Sequence, residues 1–171
     1  MLNEPLKKNI IFLDIDGVLN YTNWYSNPRN FGNINGQEGD LDPFCIERVN
    51  ILAKQTNSYI VISSDWRYDE RQCRLRLEKA GLTALIIGFT PIHLWDEKQL
   101  DKSRGAEIQG WLNNNLCIVN NYVILDDRTD MLEHQLENFV HVNSHIGLSD
   151  DNINKATIIL SNKLECGSEA E

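Results

Sequence analysis

The residues best able to do chemistry fall where apolar runs stop. The first such run ends in Asp14-Ile15-Asp16-Gly17. Alternation along an extended chain places Asp14 and Asp16 on one side, and Gly17 permits a sharp turn just beyond them. Carboxylates this close repel unless a cation neutralises them, and Mg²⁺ is the simplest cation for oxygen ligands. The same letters also fit a strand followed by an ordinary Asp-Gly turn. A later run ends in Asp126-Asp127-Arg128-Thr129-Asp130. These acids could cap a helix starting near Thr129, but one cap needs one acid and three are present. Between the two, another run ends in Ser63-Ser64-Asp65-Trp66-Arg67. A hydroxyl there could bond a phosphate oxygen or form a simple Ser/Thr turn. Lys102-Ser103-Arg104-Gly105 opens a helical stretch, where a cation could hold phosphate or balance the acids, or lie solvated on the surface. Taken in order at successive strand ends, the four groups carry more than any one alone.

Five apolar runs supply those ends: residues 9–14 (NIIFLD), 59–63 (YIVIS), 84–87 (ALII), 122–126 (YVILD) and 139–143 (FVHVN). Four are near-continuously apolar, as strands covered on both faces should be, while His141 interrupts the last. Helical segments alternate with them. Asp42 and Pro43 suit an N-cap and first position, with Ile46, Val49 and Ala53 on one stripe. A second helix is expected over 69–80, stopping at Gly81. A third starts near Ser103 and turns Ile108, Trp111 and Leu112 inward. A short fourth covers 129–137, and a last, capped by Ser149, aligns Ile153, Ala156, Thr157 and Leu160. This order predicts an α/β three-layer sandwich around a mostly parallel five-stranded, Rossmann-like sheet. Ligands on such sheets bind beyond the carboxyl ends of the strands.

The chain has 171 residues and a formal net charge of −9. Residues 1–163 read as one domain, with 21–41 as a small cap-type insertion carrying Trp24, Tyr25 and Phe31. The stretch 88–102 is a second long loop, and residues 164–171 form a small acidic tail expected to be disordered. No apolar run approaches bilayer length, and the run over 10–13 is too short for a signal peptide. A cytoplasmic location without a membrane partner is therefore expected. The negative charge argues against broad, nonspecific nucleic-acid affinity but leaves a local basic patch open. Cys45, Cys73, Cys117 and Cys166 lack metal-ligand spacing and read as reduced thiols. His141 and His145 straddle a strand end and a loop, so no zinc pair is expected of them.

At this point the residues resemble the haloacid-dehalogenase (HAD) superfamily of phosphatases. Its four motifs are matched in order by FLDIDGVLN, VISS, the basic position near Arg104, and LDD. By that resemblance, Asp14 is the nucleophile that forms an aspartyl-phosphate, and Asp16 the general acid and base. Asp14, the Asp16 backbone carbonyl and Asp126 would hold Mg²⁺. Asp127 would orient a water there or serve as a second acidic ligand. Ser63, with Ser64 beside it, would bind phosphoryl oxygens with Arg104 or Lys102. A finer resemblance joins DIDGVLN, SSDWR, RGAEIQGWL and VILDDRTDM to the phosphatase-type domains of Swiss-army-knife RNA-repair proteins. DDR is also similar to the 3′-phosphatase domain of polynucleotide kinase-phosphatases. Arg67 and Arg128 would then face a phosphorylated RNA or DNA end, or a nucleotide. Arg67, Arg71 and Arg74 fall near helical spacing, giving either one basic face or a solvated one. The superfamily's usual Thr after DxDG is Val18 here. No kinase P-loop is present.

Other readings remain open at this point. Small sugar or metabolite phosphates could be the substrates, with the insertion's aromatic residues merely packing on the core. A receiver-like phosphoacceptor without turnover also gathers acids at strand ends. Receivers carry a lysine on the last strand, however, and FVHVN has none.

Overall fold

The computed structural model describes residues 7–27, 30, 41–92 and 100–162. Phe31 and most of the remaining insertion, His93 and Trp95, and the expected tail with Cys166 lie outside the described residues. Five parallel strands form one sheet in the order β3-β2-β1-β4-β5. They are β1 (Lys8–Leu13), β2 (Ser58–Ile62), β3 (Ile86–Phe89), β4 (Val119–Asp126) and β5 (Phe139–His141). The helices are α1 (Thr22–Ser26), α2 (Pro43–Thr56), α3 (Glu70–Lys79), α4 (Arg104–Asn115) and α5 (Asp150–Ser161).

Strand alternation sorts the core into two layers, one on each face of the sheet. Ile11, Leu13, Ile60, Ile62, Val123 and Leu125 pack with Ile46 and Val49 of α2, Leu77 of α3 and Ile153 of α5. Ile10, Phe12, Val61 and Ile124 meet Ile108, Trp111 and Leu112 of α4 on the other face. Every one of these strand residues is fully buried, which is why the runs are continuously apolar. Chain order reverses direction at β1, whose neighbours are β2 and β4. The crevice beyond the ends of β1 and β4 is thus the topological switch point, where such sheets bind ligands. Asp14 and Asp126 stand there.

Caps set the helix starts as expected. Asp42 accepts a hydrogen bond from the Phe44 N–H at 2.8 Å, Ser103 from Ala106 at 3.1 Å, and Ser149 from Asn152 at 3.3 Å. Three details differ from the sequence reading. β3 begins two residues later than the apolar letters suggest, because Asn50 Oδ1 accepts the Thr83 and Ala84 N–H groups and holds them in a turn. β4 starts earlier, through polar Asn121, whose amide donates to the Ile159 carbonyl at 2.7 Å and anchors the end of α5. The helix expected over 129–137 does not form. Residues 127–132 are irregular and a 3₁₀ helix follows at Glu133–Asn138. The reason lies in α4: Asp130 accepts the Arg104 N–H at 3.0 Å through its carboxylate and the Gly105 N–H at 3.2 Å through its backbone carbonyl. The segment thereby satisfies the orphan donors of another helix instead of starting its own. A Cβ on Gly105 would lie 2.7 Å from Gln135 Oε1, so only glycine admits this approach. Among the described residues, no helix is long and apolar enough to cross a membrane.

Candidate active site

Three of the four groups converge on the guanidinium of the fourth. Arg104 is the first residue of α4 and is buried. Its Nη2 donates to Asp14 Oδ1 at 3.3 Å, and its Nε lies 3.1 Å from Asp126 Oδ2 as an ion pair. Its Nη1 donates to the Ser63 carbonyl and, at 3.3 Å, to Glu107 Oε2. Lys102, by contrast, is exposed. Of the two cations the sequence left open, Arg104 is the one that reaches the acids.

Asp14, Asp126 and Asp127 each bring a carboxylate oxygen to within 4.8 Å of the others. Asp14 and Asp126 are buried and Asp127 is half-buried. Burial, and then the charge of Asp126, pushes the Asp14 carboxyl well above the usual range, while Arg104 pulls against both. Burial raises Asp126 to about 6 against the opposing pull of Arg104, and burial likewise raises Asp127. Asp126 Oδ2 is buried and is met by the Arg104 ion pair. Three converging carboxylates, two of them buried, share that one cation, and their oxygen donors fit a hard divalent cation such as Mg²⁺.

These directions fix a pH dependence. The folded state holds its protons on these acids more tightly than the unfolded chain does. In the metal-free protein the contribution is therefore present below about pH 4, the ordinary carboxylate range, and is lost as pH rises through about 6 for Asp126. Its slope approaches 1.4 kcal/mol per pH unit for one group, by the order of magnitude of a single titration. A Mg²⁺ ion held there would compete with protons for the same carboxylates. Thermal melts with and without Mg²⁺ should show a stabilisation of about 5–10 °C near pH 8, for cation at about 100 times its Kd. It should shrink toward pH 5. A Mg²⁺ shift that does not change with pH would contradict this.

Gly17 sets the position of Asp127. Its φ is +88°, and a Cβ there would lie 2.6 Å from Asp127 Cγ. Gly17→Ala is expected to cost about 1–2 kcal/mol from the left-handed backbone alone, and to displace Asp127. A thermal-shift titration should show weaker Mg²⁺ stabilisation as well as a lower Tm. Unchanged Mg²⁺ affinity would mean that Asp127 does not contribute.

Asp16 is exposed, and its carboxylate is held at both ends. Asn20 Nδ2 donates to Oδ1 at 2.7 Å and Trp66 Nε1 donates to Oδ2 at 2.9 Å. Its side chain thus stands outside the three-carboxylate cluster. Ser63 is fully buried, and its hydroxyl has no hydrogen-bond partner among the described residues. Ser64 Oγ accepts the Trp66 N–H at 3.4 Å, capping the 3₁₀ turn Asp65–Asp69.

The two arginines expected to face substrate are placed differently, and the correction concerns Arg67. Arg67 is buried: Nη1 donates to the Ser63 carbonyl at 2.6 Å and Nη2 pairs with Glu107 Oε1 at 2.5 Å. It braces the end of β2 because Glu107, one turn into α4, offers a buried countercharge to both arginines. Arg74 donates to the Ile86 carbonyl at 2.8 Å and lies over Phe89. Arg67, Arg71 and Arg74 therefore do not make one basic face. Arg128 is half-exposed beside the cluster, forked onto Asp130 through Nε at 3.0 Å and Nη2 at 2.5 Å.

Several contributors carried no sequence signal of their own. Asn20, Trp66 and Glu107 stood inside quoted motifs without a role. His141 ends β5 in register with Asp126, with Nε2 3.0 Å from the Asp127 carbonyl. His145 lies in a turn beyond it.

Comparison with known proteins supplies one match and one absence. A family model described as the HAD domain in Swiss Army Knife RNA repair proteins matches residues 10–153. No curated protein matches the chain.

Proposed function

Given that the chain belongs to the HAD domains of Swiss Army Knife RNA repair proteins, we propose that it is a Mg²⁺-dependent phosphomonoester hydrolase. It works through an aspartyl-phosphate on Asp14, with phosphorylated nucleic-acid ends or nucleotides as substrates. Membership alone indicates a phosphatase-type hydrolase; the metal, the intermediate and the substrate are the finer reading. The observation that carries it is the meeting of Asp14, Asp126 and Asp127 around Arg104, beside the unpartnered Ser63 hydroxyl.

In this reading an Asp14 carboxylate oxygen attacks phosphorus as the bond to the leaving oxygen breaks. Asp16 gives that oxygen its proton, then takes one from the water that attacks the aspartyl-phosphate. The products are the alcohol and inorganic phosphate, and Asp14 returns to a carboxylate. Arg104 and the Ser63 hydroxyl hold the phosphoryl oxygens, where negative charge gathers in the transition state. Mg²⁺, held by Asp14, Asp126, Asp127 and the Asp16 carbonyl, would neutralise the acids and polarise the phosphoryl group when bound. Of the two arginines expected to face substrate, Arg128 at the rim is the one suited to a second phosphate of a nucleic-acid end.

The test is phosphate release from a matched panel: a 3′-phosphorylated RNA oligonucleotide, its DNA counterpart, 3′- and 5′-nucleoside monophosphates and a sugar phosphate. Each is assayed with Mg²⁺ and with EDTA. Metal-dependent release favouring an oligonucleotide end is the expected result. Preference for the sugar phosphate would retain the chemistry and remove the nucleic-acid assignment. No release from any substrate would remove both.

A further inference from the structure

We propose that Trp66 is a positioning residue for Asp16, fixing the acid–base carboxyl toward the leaving oxygen and so setting how well poor leaving groups are expelled. The proposal rests on the phosphatase reading above. A carboxyl at the end of an exposed side chain turns freely unless both oxygens are engaged. Here Asn20 engages Oδ1 and Trp66 engages Oδ2, and Asn20 Oδ1 in turn accepts the Gly17 N–H at 3.0 Å. The Asn20 arm thus belongs to the same loop as Asp16. Trp66 arrives from the end of β2, so it fixes the carboxyl against the sheet itself.

The indole is well anchored for that task. Ser64 caps its turn, its ring packs on the core, and the Arg76 guanidinium lies 3.6 Å from the ring centroid. The indole N–H can only donate. It cannot take the catalytic proton, so its part is orientation. The contact also ties the strand end carrying the phosphate-binding Ser63 to the acid–base residue, which spaces the two ends of the ester bond being broken.

Trp66→Phe keeps a ring under Arg76 and deletes the donor. The test compares kcat and KM of both proteins on an aryl phosphate, whose leaving group needs no proton, and an alkyl phosphate, whose leaving group does. We expect kcat/KM, which reports expulsion of the leaving group and not the later hydrolysis common to both esters, to fall about tenfold or more on the alkyl ester relative to the aryl ester, and these kcat/KM values are the ones compared. Equal losses on both esters, or no loss, would overturn the proposal and leave the phosphatase reading standing. No release by the wild-type protein from either ester would remove that reading and the proposal with it. A second measurement does not depend on turnover. The indole N–H resonance missing from Trp66→Phe identifies Trp66 in the wild type, and Asp16→Ala should shift it. An unmoved resonance would show that the contact does not exist in solution.

Discussion

Asp14→Asn should abolish phosphate release and at the same time make the metal-free protein more stable. Removing a nucleophile from a concerted site costs on the order of 10⁴-fold or more in kcat. The gain in stability follows from electrostatics. Asp14 is buried beside Asp126 and Asp127, and burial and repulsion both oppose its charge. An amide occupies the same volume, still offers an oxygen to Arg104, and carries no charge to desolvate. A stabilisation of about 1–2 kcal/mol is expected, of the size seen when a functional site is relieved of its strain. For a domain of this length that is roughly 2–8 °C in Tm. The variant should also lose most of its Mg²⁺-induced shift. Melting curves with and without Mg²⁺, beside a release assay, check all three parts. A variant that melts lower than the wild type without metal would contradict the electrostatic reading of the cluster.

Arg104→Met should do the reverse to stability and still remove activity. Methionine fills much of the space but leaves Asp14 and Asp126 without their shared cation, and leaves Glu107 with Arg67 alone. Breaking a buried charge network on one side costs on the order of 3–5 kcal/mol, about 6–20 °C here. Release should fall on the order of 10²-fold or more, as when one charge-stabilising donor is lost. The deficit has a pH signature. With the cation gone, Asp14 and Asp126 take up protons more readily, so the loss of Tm should be smaller at pH 5 than at pH 8. Arg104→Lys keeps the charge but cannot span Asp14 and Asp126 with a planar fork, so it should fall between the two. A deficit that is the same at both pH values would mean that the loss is one of packing.

Most of the scaffold was legible because burial on both faces forces apolar strands, and caps announce helix starts. Asp14, the acids at the end of β4 and Ser63 stand out for the same reason: charge or hydroxyl directly after an apolar strand is conspicuous. What escaped depends on contacts far apart in sequence. Arg67 reads as a surface base because its partner, Glu107, lies forty residues away. Trp66 has no assigned role in the sequence, since nothing local reports its hydrogen bond to Asp16 fifty residues earlier. The helix expected over 129–137 failed because Asp130, near its start, accepts N–H groups from the start of α4 instead. Local propensity cannot show which of two helices a carboxylate will serve.

Trapping the covalent intermediate on Asp14 tests the proposed chemistry most directly. Enzyme in excess would be mixed with substrate and Mg²⁺, quenched in acid within the first turnover, and treated with borohydride, which reduces an acyl phosphate to an alcohol. Peptide mass spectrometry should then find homoserine at position 14 and nowhere else, and none in a control without substrate. Release of phosphate with Asp14 unmodified at every time within the turnover, or homoserine at Asp126 or Asp127 instead, would contradict the account.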